Sequence, residues 1–99
     1  MSDSTTIELP EELSINTVDQ WHPVFCQAID QHRHFNFQSN DLCRIDSAGL
    51  QLLLAFITQV INSGKTYHWL SVAPTLQHQA QTLGLDHVIF GQQTSDGDK

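Results

Sequence analysis

The run "RIDSAGLQLLLAF", Arg44 to Phe56, sets an acid, a hydroxyl and a glycine directly before one of the most apolar segments of the chain. Asp46 and Ser47 are both residue types that start a helix, because either side-chain oxygen can accept a bond from an unpaired backbone N–H. The spacing predicts a helix from Ser47 to about Asn62, closed by Gly64 in "NSG". At about 100° per residue, Leu50, Leu53, Leu54, Ile57, Val60 and Ile61 share one face, which belongs in a core. Leu52 and Phe56 fall on a flank roughly 200° and 240° from Leu50. That flank either widens the core against a neighbouring element or offers an apolar surface to a partner. Gly49 occupies the first turn, where glycine costs stability, so close approach of another backbone is the expected reason for it. Ser47 also has two readings: it caps the helix, or it carries a phosphate, which a helix N-terminus favours by roughly 0.3–1 kcal/mol.

On the N-terminal side, "HFNFQSNDLCRI" reads as a strand through Phe35 and Phe37, a turn at "SND" and a short apolar return from Leu42 to Ile45. Before it, Val18, Trp21, Phe25, Ala28 and Ile29 recur at steps of three and four and predict a helix over 17–31. Thr17 and Gln20 have capping-box spacing, and Pro23 should kink or restart this helix. A short strand at Ile7 to Leu9 is stopped by Pro10 and belongs at a sheet edge. On the C-terminal side, "KTYHWLSV" reads as a largely buried strand. "APTLQHQAQTLGL" follows as a helix with Pro74 in its first turn, Leu76, Ala80 and Leu83 at helical spacing, and a stop at Gly84. "LDHVIF" is a last helical turn or an edge strand. Strand and helix alternate, and crossover helices bring successive strands parallel. The expectation is one small α/β domain over 7–90, a mostly parallel sheet covered by about four helices, with disordered ends at 1–6 and 91–99.

The chain has 99 residues, room for one core. Four Lys and Arg stand against eleven Asp and Glu, a formal net charge of -7, and the bases Arg33, Arg44, Lys65 and Lys99 are scattered singly. Nucleic acid and anionic membranes would be repelled, whereas a partner with a basic patch would be steered in. Cys26 and Cys43 form no CxxC pair and read as reduced thiols in a cytoplasmic protein. The acidic start "MSDSTTIELPEEL" lacks the pattern of a secretion signal, and no run approaches the ~18 apolar residues of a membrane span. His22, His32, His34, His68, His78 and His87 show no HExxH or comparable ligand spacing, and the glycines form no phosphate-cradling loop. No metal, cofactor or catalytic group is expected.

From about Ile7 to Phe90 the chain resembles the STAS domains, the family of bacterial anti-sigma-factor antagonists, in which an Asp-Ser/Thr-x-Gly-Leu segment opens the second helix. "RIDSAGLQLLLAF" matches that signature, and "APTLQHQAQTLGLDHVI" resembles the family's ending. The resemblance implies that Ser47 is phosphorylated by a partner kinase, that Asp46 is the preceding acid, and that Gly49 and Leu50 form the presenting turn. Together with the apolar flank of Leu52 and Phe56, the expected docking surface is Asp46, Ser47, Ala48, Gly49, Leu52 and Phe56. The implied partner is a serine kinase, anti-sigma factor or chemotaxis-type kinase-like regulator, in signal transduction that controls transcription. "ELPEEL" with the signature looks most like short single-domain members that accompany chemotaxis-type genes. The pattern is broken in places: Gln38 stands where the family commonly has an acid, and Ala48 where a second hydroxyl is frequent. Other STAS domains resembling this chain bind the ATPase of a phospholipid-trafficking transporter through the same helix face, which is the alternative role.

Overall fold

A computed structural model describes residues 4–94, with side chains for 4–90. The elements are β1 (Ser4–Glu8), β2 (Glu12–Leu13), α1 (Val18–Gln31), β3 (His34–Gln38), β4 (Arg44–Ile45), α2 (Ser47–Asn62), β5 (Thr66–Ser71), α3 (Pro74–Thr82) and α4 (Asp86–Thr94). Strands β1, β3 and β5 lie side by side in that order, all parallel. Because each crossover steps in the same direction, the right-handed connection rule puts α1 and α2 on one face of the sheet. Burial follows that arrangement. Ile7, Phe35, Phe37, Tyr67 and Trp69 point into the core, while Thr6, Glu8 and His68 are exposed and His34, Asn36 and Gln38 only half-buried. The result is an α/β domain with one sheet face bare among the described residues.

That bare face corrects the reading of "KTYHWLSV" as a largely buried strand, since β5 alternates inward and outward. Leu70 has no partner in the β3–β5 register, where Phe37 pairs Trp69 and Gln38 pairs Ser71. The first strand begins at Ser4, three residues ahead of the expected Ile7, because Thr5 and Thr6 pair with Phe35 and Asn36. At the other end "LDHVIF" is helical and the helix runs on to Thr94, so 91–94 do not belong to a disordered tail. Tyr67 Oη and Trp69 Nε1 donate to the Val88 and Ile89 carbonyls at 3.4 and 3.2 Å, pinning α4 to the sheet. Residues 1–3 and 95–99, expected to be disordered, lie outside the described residues.

The return from Leu42 to Ile45 does not pair with β3. Arg44 and Ile45 instead pair with Glu12 and Leu13 in a separate two-stranded parallel ladder. Pro10 ends the first strand as expected, but the chain resumes two residues later as β2, which the sequence reading lacked. Helix α1 is continuous through Pro23 and does not restart. Pro23 is exposed, and so is Asp19, the residue whose carbonyl loses its helical donor there. The Thr17 and Gln20 capping box does not form: the Thr17 hydroxyl accepts from Ser14 N at 3.0 Å and donates to the Glu12 carbonyl at 3.1 Å.

The buried arc of α2 is turned from its expected centre. Leu50, Leu53, Ile57 and Val60 are buried as expected, but Leu54 is half-buried and Ile61 is 43% exposed. The arc extends the other way to Gly49 and Phe56, because α1 packs against that side. Phe56 stacks on Phe25 with ring centroids 4.7 Å apart and meets Phe35 and Phe37 edge-on at 5.3 and 5.7 Å. Its place as an exposed docking residue is therefore corrected: at 4% exposure it is core, and of the flank pair only Leu52 reaches the surface, half-buried.

Candidate functional site

Asp46 directly follows β4 and caps α2. Its Oδ1 accepts from Gly49 N at 2.9 Å, and its Oδ2 accepts from Ile15 N at 3.0 Å, across to the loop after β2. Those two N–H donors, Gly49 first, hold the Asp46 carboxyl below its ordinary value. The ambiguity between Asp46 and Ser47 as cap is settled in favour of Asp46. Ser47 is the first residue of the helix and is exposed, and its hydroxyl makes no hydrogen bond among the described residues. Ala48 beside it is half-buried.

Gly49 is where α2 meets β2. A Cβ built on it would lie 1.9 Å from the Leu13 carbonyl oxygen and 2.5 Å from its carbon. No side chain fits there, so the glycine is required by close backbone approach and not by its own dihedral angles. The contact seats the start of α2 on the β2–β4 ladder and projects Asp46 and Ser47 outward.

The loop from Ser14 to Thr17 completes this end of the molecule. Ser14 Oγ donates to Glu12, Asn16 N donates to Ser14 Oγ at 3.2 Å, and Asn16 Nδ2 reaches Glu12 at 3.4 Å. The Ser14 and Asn16 bonds hold the Glu12 carboxyl low, with a smaller pull from Arg44 across the ladder. Within this bracing Ile15 stands 67% exposed beside Asp46. Sequence reasoning missed Ile15, since a lone apolar residue in the polar run "SINT" carries no periodicity. It missed Ser39 as well, which is fully buried and ties β3 to the start of α3: Ala73 N donates to Ser39 Oγ at 2.8 Å and Ser39 Oγ donates to the Ser71 carbonyl at 3.1 Å.

The expected docking residues thus divide between two places. Asp46, Ser47, Ala48 and Gly49 cluster at the N-terminus of α2 with Ile15. Leu52 and the edge of Phe56 line a groove of about 360 Å³ between α1 and α2, with Phe25, Ile29, Ala55 and Gln59 among its walls. Among the described residues no three His, Cys, Asp or Glu side chains converge as a metal site, and no helix is long and apolar enough to cross a membrane. Cys26 and Cys43 are free thiols, both exposed.

A parallel three-stranded sheet with helices packed on one face, four of them among the described residues, matches the STAS fold. The solved structures that share it include the Bacillus cell fate determinant SpoIIAA in its phosphorylated form, 23% identical, at a TM-score of 0.69 over 86% of this chain and 78% of that one. They also include the anti-sigma factor antagonist SpoIIAA in its unphosphorylated form, 23% identical, at a TM-score of 0.70 over 87% and 76%. No protein-family model and no curated protein sequence matches the chain.

Proposed function

We propose that this protein is a non-enzymatic, cytoplasmic phospho-switch that acts by binding another protein, with Ser47 as its phosphoacceptor. The observation that carries the reading is the division of labour at the start of α2: Asp46 does the capping, so the exposed Ser47 hydroxyl has no structural duty. Asp46, Ser47 and Ala48, with Ile15 beside them, form the docking surface, Gly49 beneath them fixes its backbone, and Leu52 extends it toward the groove floored by Phe56. The SpoIIAA neighbours, an anti-sigma factor antagonist in phosphorylated and unphosphorylated forms, support this reading by analogy of fold. The partner is then a serine kinase or anti-sigma-type regulator.

A phosphate on Ser47 brings roughly 1.5 to 2 negative charges to a helix N-terminus. The helix dipole tolerates them there, so the fold survives. Beside the ionised Asp46, and covered by a docked partner, the same charge must be desolvated next to a like charge, which releases the partner.

Parallel capture from native lysate with wild type, Ser47→Asp and Ser47→Ala, read by mass spectrometry, tests the switch. A kinase or anti-sigma-type regulator held by wild type and Ser47→Ala and lost by Ser47→Asp is the expected outcome. A transporter ATPase held equally by all three baits would overturn it and make the domain a constitutive subunit.

A further inference from the structure

We propose that the groove between α1 and α2 receives one basic amphipathic helix of a protein partner, with its apolar face on Leu52, Ala55 and Phe56 and its cationic flank toward Asp30. The proposal rests on the docking reading above but not on phosphorylation of Ser47.

The groove is a trough between two helices. Its lining repeats at helical steps along both walls, from His22 to Asp30 on α1 and from Leu52 to Gln59 on α2. At 1.5 Å per residue those walls run about 12 and 10 Å, two turns of a third helix lying alongside. Ala55, exposed at the centre, leaves open the space that a larger side chain would fill, and Phe25 and Phe56, stacked on each other, floor it. Apolar anchors at i, i+3, i+4 and i+7 of a docking helix match a trough of this kind. The groove side of α2 leads back toward Ser47 through Ala48, which lies four residues before Leu52 on the same side of the helix and next to Ser47 in the chain.

Charge selects the occupant. The lining holds one carboxylate, Asp30, and no Lys or Arg. Lys65 is held at the Ile29 end, its ammonium donating to the Ile29 carbonyl, and does not line the groove. With a chain charge of -7 behind it, the groove favours a cationic flank and repels an acidic one. A second copy of this chain does not answer that description. Arg33, Arg44 and Lys65 all lie outside the described helices, so no described helix here carries a Lys or Arg. The partner is a different protein.

The probe is a synthetic peptide of about 18 residues, long enough to form a helix, with leucines at i, i+3, i+4 and i+7 and Lys and Arg on both flanks. Its control keeps the leucines and carries Glu on the flanks. Fluorescence anisotropy of each peptide against wild type, Ala55→Trp and Leu52→Asp measures binding, and thermal unfolding monitors the fold. The basic peptide is expected to bind wild type at least about tenfold tighter than its acidic control, and Ala55→Trp to weaken it about tenfold with Tm unchanged. Absence of binding, equal binding of the two peptides, or an Ala55→Trp variant that binds like wild type would each overturn the proposal. So would sedimentation showing a wild-type dimer that Ala55→Trp dissociates, which would assign the groove to a second copy. Failure of the peptide leaves the Ser47 capture experiment standing, and loss of the Ser47 effect leaves the peptide result standing.

Discussion

Asp46 couples three pieces of chain with one carboxylate: it caps α2 through Gly49, tethers Ile15, and sits directly before the exposed Ser47. Its folded-state pKa lies below the ordinary 3.8 because those N–H groups bond the ionised form. As pH falls, the unfolded chain therefore takes up this proton first, so the stabilisation is present above the ordinary aspartate range and is lost as pH drops through the folded value. Asp46→Asn should flatten the acid limb of a stability–pH curve, measured by denaturant unfolding at stepped pH, relative to wild type. Asp46→Ala should cost about 1 kcal/mol at neutral pH through loss of the cap. At Gly49 the penalty is steric. Gly49→Ala must push a methyl group into the Leu13 carbonyl and should cost about 1–3 kcal/mol in the same assay, even though alanine is the better helix former. A neutral or stabilising Gly49→Ala would mean that α2 does not sit on β2 as described. The need for a glycine was legible in "DSAGL" because nothing in a first turn otherwise favours one. Its partner, Leu13, was not, since that contact joins segments 36 residues apart.

Among the elements, α2 was the most legible, with its described span of Ser47 to Asn62 falling where the spacing put it. Its rotation was less so. Periodicity reports that a stripe is apolar, but which part of a wide apolar arc is buried depends on where α1 lies. The exchange of Ile61 for Phe56 in the core is that dependence made visible. Phe56→Ala should therefore behave as a core deletion and cost about 3–5 kcal/mol, read as a fall in Tm. Leu52→Asp, at the half-buried rim, should leave most of the stability and abolish partner binding. A fall in Tm as large as that of Phe56→Ala would move Leu52 into the core instead. The β2–β4 ladder was illegible for a different reason: two residues on each side carry no pattern, and the partners lie 32 residues apart in the chain.

For the molecule as a whole, eleven acids against four bases make any cationic partner's approach electrostatically steered. Raising ionic strength from about 10 to 150 mM shortens the screening length from about 30 to 8 Å. The partner's association rate, followed by stopped-flow, should then fall about tenfold with a smaller change in dissociation. A salt-independent association rate would count against a basic partner surface.

The sequence by itself determined the α/β class, the limits of α2, the serine at its start, the need for glycine at Gly49 and the sign of the molecule's field. These follow from local spacing, residue chemistry and summed charge, none of which requires knowing what packs where. Tertiary structure alone decided that Asp46 and not Ser47 is the cap, that Phe56 is core while Leu52 is rim, that Ile15 stands out beside Ser47, and that a groove opens over Ala55. Each of those depends on contacts between segments far apart in the chain, and the free energy that selects among such contacts belongs to the packed whole.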